Sequence, residues 1–314
     1  MKIVAPSYEI LDHLDQQSLP VRIELCGRIC YKSEDRIDQD SALPFVCKMA
    51  EYGHNSVLEM GVVTVEAICT DESKITELFL LRPRYLHINR EGNSLLITGS
   101  IRTFRELLIF HPENTAVRSV CALLNERHPY FFSTILPKTG VQPDPSIKVR
   151  KLELSEVDQL SPDSLANHRY IAVKFVVNRA VTHEIVRHRP CSFLQESQRY
   201  CRYSEDKFGS EVTFIKPMFF AEGSSEYILW EKAMQDTEQL YLDLLETSTP
   251  QAARTVLPNS CKTELILYTN LKEWRHIFSL RTAKSAEPSM REVMIPLLKD
   301  FQQRFHGAFF DKIV

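Results

Sequence analysis

The run Arg187-His188-Arg189-Pro190-Cys191-Ser192-Phe193-Leu194-Gln195-Glu196-Ser197-Gln198-Arg199-Tyr200 gathers three arginines, a histidine, two serines, two glutamines and a glutamate into fourteen residues. Guanidinium groups are planar forks that match phosphates and carboxylates bidentately, so three of them on one short segment imply a ligand carrying concentrated negative charge. The polar side chains between them can read the rest of that ligand by hydrogen bonding. A metal reading fails on geometry. His183 and His188 are five residues apart, about 140° around a helix, whereas the zinc-protease motif needs histidines four apart on one face. No metal is therefore expected. Ser197 lacks both a Gly-x-Ser-x-Gly elbow and an evident general base, which makes it a binding residue rather than a nucleophile. With nine glycines the chain has no Gly-x-Gly-x-x-Gly run, so a dinucleotide here must be held by side chains.

Several elements must position these groups. Tyr170 to Val177 reads as a strand, after which Asn178 caps a short helix, Arg179 to His188, that Pro190 ends. The run therefore sits on a helix end and the turn that follows. Gly61 to Cys69, Ser94 to Thr98 and Thr263 to Tyr268 are further apolar, strand-like stretches. Helical spacing runs from Val21 to Tyr52, with Gly53 in the stop position and His54 just beyond it. Ser100, with Thr103 and Glu106, begins a helix through Phe110, and Asn114 begins another through Glu126. Leu136 to Ala166 holds four prolines and reads as a loop-rich surface excursion. Helices follow over Ser225 to Glu246, Gln251 to Val256, Asn270 to Arg281 and Pro288 to Phe310. Strands and helices mix without βαβ alternation, which predicts an α+β fold: a mixed, mainly antiparallel sheet flanked by helices.

A chain of 314 residues that is 44% hydrophobic can bury a sizeable core. Its formal charge of -3 and pI near 6.4 argue against a protein that coats nucleic acid, which needs a basic surface overall. The first twenty residues contain Glu9, Asp12 and Asp15 and no seven-residue apolar stretch, so they do not read as a signal peptide, and no segment is long enough to span a membrane. Eight scattered cysteines without a Cys-x-x-Cys pair suit free thiols in a reducing compartment. A cytoplasmic protein is expected, with neither nucleic acid nor membrane as partner.

The fourteen-residue run resembles the signature of the flavin-dependent thymidylate synthases at every defining position. Gly53-His54-Asn55-Ser56 with Glu59 is similar to that family's early histidine segment, and Ala252-Ala253-Arg254-Thr255-Val256-Leu257-Pro258 to its Ala-Arg-x-x-Leu-Pro motif. Asn270-Leu271-Lys272, His276 and Leu280-Arg281 resemble its C-terminal flavin and substrate helix. The order of the four segments agrees as well. His54 and Arg187 stand 133 residues apart, further than compact members require, so about Thr70 to Asn167 reads as an insertion within a single domain spanning 1–314. The resemblance covers roughly 20 to 69 and 168 to 300. Met60, Ser285 and Glu287 depart from the family's usual residues.

The resemblance implies reductive methylation of dUMP to dTMP, with 5,10-methylenetetrahydrofolate as carbon donor and FAD and NADPH supplying the hydride. It implies a homotetramer whose sites are assembled from several chains. Arg281 and His54 take catalytic roles by the same resemblance. For dUMP it points to Glu184, Arg187, Gln195, Glu196, Ser197, Gln198, Arg199, Arg254 and Arg281. For FAD it points to His54, Ser56, Arg187, His188, Arg189, Gln195, Asn270, Lys272 and His276. Two other classes stay open. A single-stranded nucleic-acid binder would use Arg187, Arg189, Arg199 and Arg202 with stacking on Phe193, Tyr200 and Tyr203. A catalytically lapsed flavoprotein would keep the cofactor and lose turnover.

Overall fold

The computed structural model describes residues 1–136, 140–205, 208–305, 309–311 and 313. Its strands are β1 (Lys2–Val4), β2 (Ser7–Ile10), β3 (Val62–Cys69), β4 (Leu86–Glu91), β5 (Ser94–Ser100), β6 (Ile147–Lys151), β7 (Tyr170–Asn178), β8 (Ser192–Gln195), β9 (Thr213–Ile215) and β10 (Lys262–Asn270). They form one sheet of order β2-β7-β10-β8, a second of order β4-β5-β3-β6, and a pair β1-β9. Every neighbour in the two larger sheets is antiparallel, and β1 runs parallel to β9. With helices on their faces, these sheets make the α+β architecture that the sequence implies.

Side-chain alternation along β7 and β10 decides where the core lies. Successive strand residues point to opposite faces. Ile171, Val173, Phe175 and Val177 share one face of β7, and the register Leu265↔Phe175 and Leu267↔Val173 puts the apolar set of β10 beside them. The helices Leu271–Arg281 and Pro288–Arg304 cover that face. Trp274 stacks on Phe278 with centroids 5.4 Å apart and meets Phe301 at 5.2 Å. Its indole Nε1 donates to the Ile171 carbonyl at 3.0 Å. All three rings are fully buried, and burial of each contributes about 1.5–3 kcal/mol. This packing fixes the helix on which Arg281 stands.

The opposite face carries Ala172, Leu194, Ile266 and Tyr268. These join a larger cluster with the second sheet and the helices Leu19–Gly27, Ala42–Glu51, Ile101–Phe110 and Thr115–Arg127. Residues between β3 and β7 thus build a separate layer rather than extending the first sheet. A third cluster lies under the helix Ser225–Thr247.

The structure departs from the sequence expectations in several places. The helical pattern over 21–52 is interrupted between Gly27 and Ala42. There Asp38 accepts from the Asp40 amide at 2.9 Å and Ser41 Oγ from the Asp38 amide at 3.0 Å, so short polar side chains satisfy the backbone that a helix would otherwise use. The stretch 136–166, of which 137–139 lie outside the described residues, contains β6 and two helices, Leu154–Val157 and Pro162–His168. Pro162 opens a helix rather than a loop, because its missing N–H costs nothing at the first helical position. The last helix ends at Arg304 rather than Phe310. Gly53 does end its helix, at φ +68°.

Candidate active site

The helix Arg179–Ile185, which Asn178 caps by accepting from the Val181 amide at 2.9 Å, ends three residues short of the expected His188, so the signature starts in the turn just beyond it. It then enters β8, a strand the sequence did not announce, where Gln195 lies opposite Leu265 and Leu194 opposite Ile266. Pairing with β10 turns Leu194 inward. His188, Glu196 and Gln198 are buried, whereas Arg187, Arg189 and Arg199 are exposed.

Where the signature meets the helix Leu271–Arg281, five polar groups converge. Arg281 donates from Nη1 to Glu184 Oε2 at 2.6 Å, from Nη2 to the Glu184 carbonyl at 3.1 Å, and from Nε to His188 Nε2 at 2.9 Å. Because Nε2 accepts, His188 is neutral with its proton on Nδ1. Burial, then the cations Arg281 and Arg189 and the ring of His276, push it down to about 4. Its ring meets that of His276 edge-on at 5.9 Å. Glu273 Oε1 is 3.9 Å from His188 Nδ1, too far for a hydrogen bond, and has no partner among the described residues. Burial raises this carboxyl to about 7. His188, Glu273 and His276 have ligand atoms within 4.8 Å of one another, but the cationic Arg281 bonded to His188 opposes a cation there.

A second polar group lies along β10. Gln195 donates from Nε2 to Thr182 Oγ1 at 3.1 Å and Thr263 Oγ1 at 3.2 Å, so the helix Arg179–Ile185 links both groups. Glu196 accepts from Tyr203 at 2.9 Å and from Lys262 at 2.9 Å. Glu264 takes three lysines: Lys32 and Lys262 at 2.6 Å and Lys174 at 2.7 Å. Burial acts to raise the Glu264 pKa, but the lysines outweigh it and hold the carboxyl well below the usual range. Sequence reasoning missed these lysines and Glu264. The available signal was Lys262 and Glu264 two apart on one face of an otherwise apolar strand.

The early histidine segment reaches the signature through one tyrosine. His54 Nδ1 lies 3.2 Å from the Tyr31 hydroxyl, and Tyr31 meets the Tyr200 ring at 5.4 Å. Ser197 accepts at Oγ from the Arg199 amide at 3.3 Å, and Arg199 Nε donates to Gln251 at 3.2 Å, next to the segment bearing Arg254. Asn270 is spent on structure. Its Oδ1 caps the helix by accepting from the Glu273 amide at 2.9 Å, while Nδ2 lies 3.0 Å from both the Asn167 carbonyl and His87 Nε2. The side chains of Ser56, Arg187, Arg254 and Lys272 make no hydrogen bond to other described residues. Of these, Ser56, Arg187 and Lys272 are exposed and Arg254 is half-buried. Arg189 bonds the carbonyls of Val186 and His188 and stands 5.6 Å over the Phe193 ring.

Residues 151–305 match a family described as thymidylate synthase complementing protein. Over 128 residues the chain is 36% identical to the flavin-dependent thymidylate synthase of Pyrococcus furiosus, covering 40% of this chain and 52% of that one. The chain resembles the flavin-dependent thymidylate synthases. The enzyme of that name from Corynebacterium efficiens is 27% identical over 192 residues, 55% of this chain and 74% of the relative. The one from Geobacter sulfurreducens is 33% identical over 124 residues, 39% and 52% respectively. The chain thus spans about half the length of the Pyrococcus relatives it matches. Among solved structures, a UMP/dUMP methylase PolB from Streptomyces cacaoi bound with 5-Br dUMP aligns over 96% of this chain and 93% of that one, at 13% identity and a TM-score of 0.40. All eight cysteines are free. No helix among the described residues is long and apolar enough to cross a membrane.

Proposed function

We propose that this chain is a flavin-dependent thymidylate synthase that converts dUMP to dTMP with 5,10-methylenetetrahydrofolate, FAD and NADPH. The observation that carries the reading is the Arg281 site. Three of the five guanidinium N–H groups are taken by Glu184 and His188, which leaves two for a ligand held in a fixed orientation. Such a fork suits the N3 and O2 edge of a uracil ring, where it stabilises the negative charge that develops as the ring is reduced. Glu184 and His188 act through Arg281 by orienting it.

Ser197, Arg187 and Arg199 suit a phosphate dianion, with Gln195, Glu196 and Gln198 in the strand and turn beside them. Gln198 Nε2 is buried without a partner, as a donor reserved for a ligand would be. The residues also fit a flavin dinucleotide held without a glycine-rich loop. Arg187 and Lys272 are cations free of hydrogen bonds within the described chain, and His276, His54 and Ser56 stand at the surface near the same segments. When bound, FAD supplies the redox chemistry, and the protein supplies orientation and charge. That so many of these side chains reach solvent without a partner supports sites shared between chains of a homotetramer, and the isolated chain is expected to be inactive. A cytoplasmic location completes the reading.

An absorption spectrum of the purified protein, recorded with and without dUMP, tests it. Oxidised-flavin bands that shift on adding dUMP are expected. A colourless protein that FAD cannot reconstitute overturns the proposal.

A further inference from the structure

The layer between β3 and β7 carries none of the site residues assigned above except through its neighbours, yet it forms one side of a cavity beside the signature. The cavity has a volume of about 300 Å³, with Arg189, Ser192 and Phe193 on the signature side and Tyr85, His87 and Arg102 on the side of the inserted layer. Tyr170 and Tyr268, centroids 5.5 Å apart, also line it.

The layer is fastened to the site at two points. Arg102 donates to Glu59 at 2.7 Å, and Ser192 in turn bonds Glu59, so the inserted helix Ile101–Phe110 is tied to β8 of the signature. His87 in β4 lies 3.0 Å from Asn270, the cap of the helix that carries Arg281. A wall merely resting on the sheet would not need polar contacts to both segments.

The chemistry of the cavity narrows its ligand. Arg102 is pinned between Glu59 and Glu106, each at 2.7 Å, and with Arg189 the two cations and two carboxylates balance. Burial, then nearby Lys272, pushes His87 down to about 4, so it is neutral near pH 7. The side chains that line the cavity carry no net positive charge for a phosphate. Tyr85 and Phe193 bring aromatic rings to the lining, one face of Phe193 being covered by Arg189, and Ser192 and the Arg102 pair offer short polar edges. The volume is at the small end for ligand pockets and suits one ring system rather than a whole dinucleotide.

We propose that this cavity takes one uncharged heteroaromatic ring of the flavin dinucleotide, and that the inserted layer determines the fit of that ring, with Tyr85 as its contacting face. The inference rests on the flavin reading above. Tyr85 is 52% exposed, so its truncation leaves the fold intact. Flavin titration of the full chain, followed by fluorescence quenching, is the test. Tyr85→Ala should weaken FAD binding by about three- to tenfold and reduce the quenching, whereas Tyr85→Phe should return both to near the wild-type values. Wild-type protein that binds no FAD sinks the flavin reading and this inference together. Wild-type protein that binds FAD with Tyr85→Ala indistinguishable from it overturns the inference alone.

Discussion

Arg281→Ala separates the two jobs of the Arg281 site. The substitution removes three hydrogen bonds, two of them to Glu184 and one to His188. Glu184 has a third of its side chain exposed, so water resolvates it and the stability cost is about 1–2 kcal/mol rather than that of a fully buried pair. On the proposed function, the loss of transition-state stabilisation is larger. Removing one preorganised donor from a site of developing charge costs about 10²–10³ in kcat, or about 2.7–4 kcal/mol. Turnover of dUMP, measured by release of tritium from C5, should therefore fall by two to three orders of magnitude while bound flavin is retained. The same variant removes a cation that helps depress His188, so the imidazole should titrate above about 4, closer to its ordinary range, by NMR. Turnover within threefold of wild type would refute the role assigned to the guanidinium. An unmoved His188 titration would refute the electrostatic account of the cluster.

Three further substitutions probe other parts of the structure. Glu264→Gln leaves Lys32, Lys174 and Lys262 without their common carboxylate, which should cost about 3–5 kcal/mol and lower the melting midpoint by about 5–15 °C near pH 7. Because the folded carboxyl titrates below its unfolded value, that contribution is present above about pH 4.5 and fades as pH falls through the folded value; a midpoint shift under 2 °C at pH 7 would contradict it. Glu273, raised to about 7 by burial, behaves oppositely: the native state binds the extra proton between its unfolded value and 7, so stability declines as pH rises through that window. Glu273→Gln should accordingly match wild type at pH 5 and melt higher at pH 8. Arg82 holds φ +44° at the end of the helix Glu72–Leu81, so Arg82→Gly should gain about 0.5–1 kcal/mol in urea unfolding.

The parts of the fold that local patterns specify were legible in the sequence. The stretches 170–177 and 263–268 mark strands because a sheet covered on both faces reads as a short, nearly continuous apolar run, and Asn178 and Asn270 mark helix starts because their side chains satisfy a backbone amide. What failed was whatever depends on partners distant in sequence. β8 has four residues, and only its register against β10 makes it a strand. β6 falls in the proline-rich stretch that reads as a loop, and Lys148 and Arg150 alternate with its apolar residues. Arg150 and Glu66 explain why that charge is tolerated: they pair across β6 and β3 at 2.7 Å, on an exposed edge.

The candidate site divides along the same line. The sequence located the arginines of the signature and the helix that ends at Arg281, because residue type and spacing are local properties. It did not show that Arg281 and Glu184, 97 residues apart, would pair, since a guanidinium accepts any carboxylate that the fold brings within reach. It marked Asn270 as a helix cap, but it did not show that the rest of the amide would be taken up by Asn167 and His87. That assignment is a competition between backbone and ligand for one side chain. In this chain the backbone holds the claim, and a flavin contact at Asn270 would have to use the oxygen's second lone pair or displace His87.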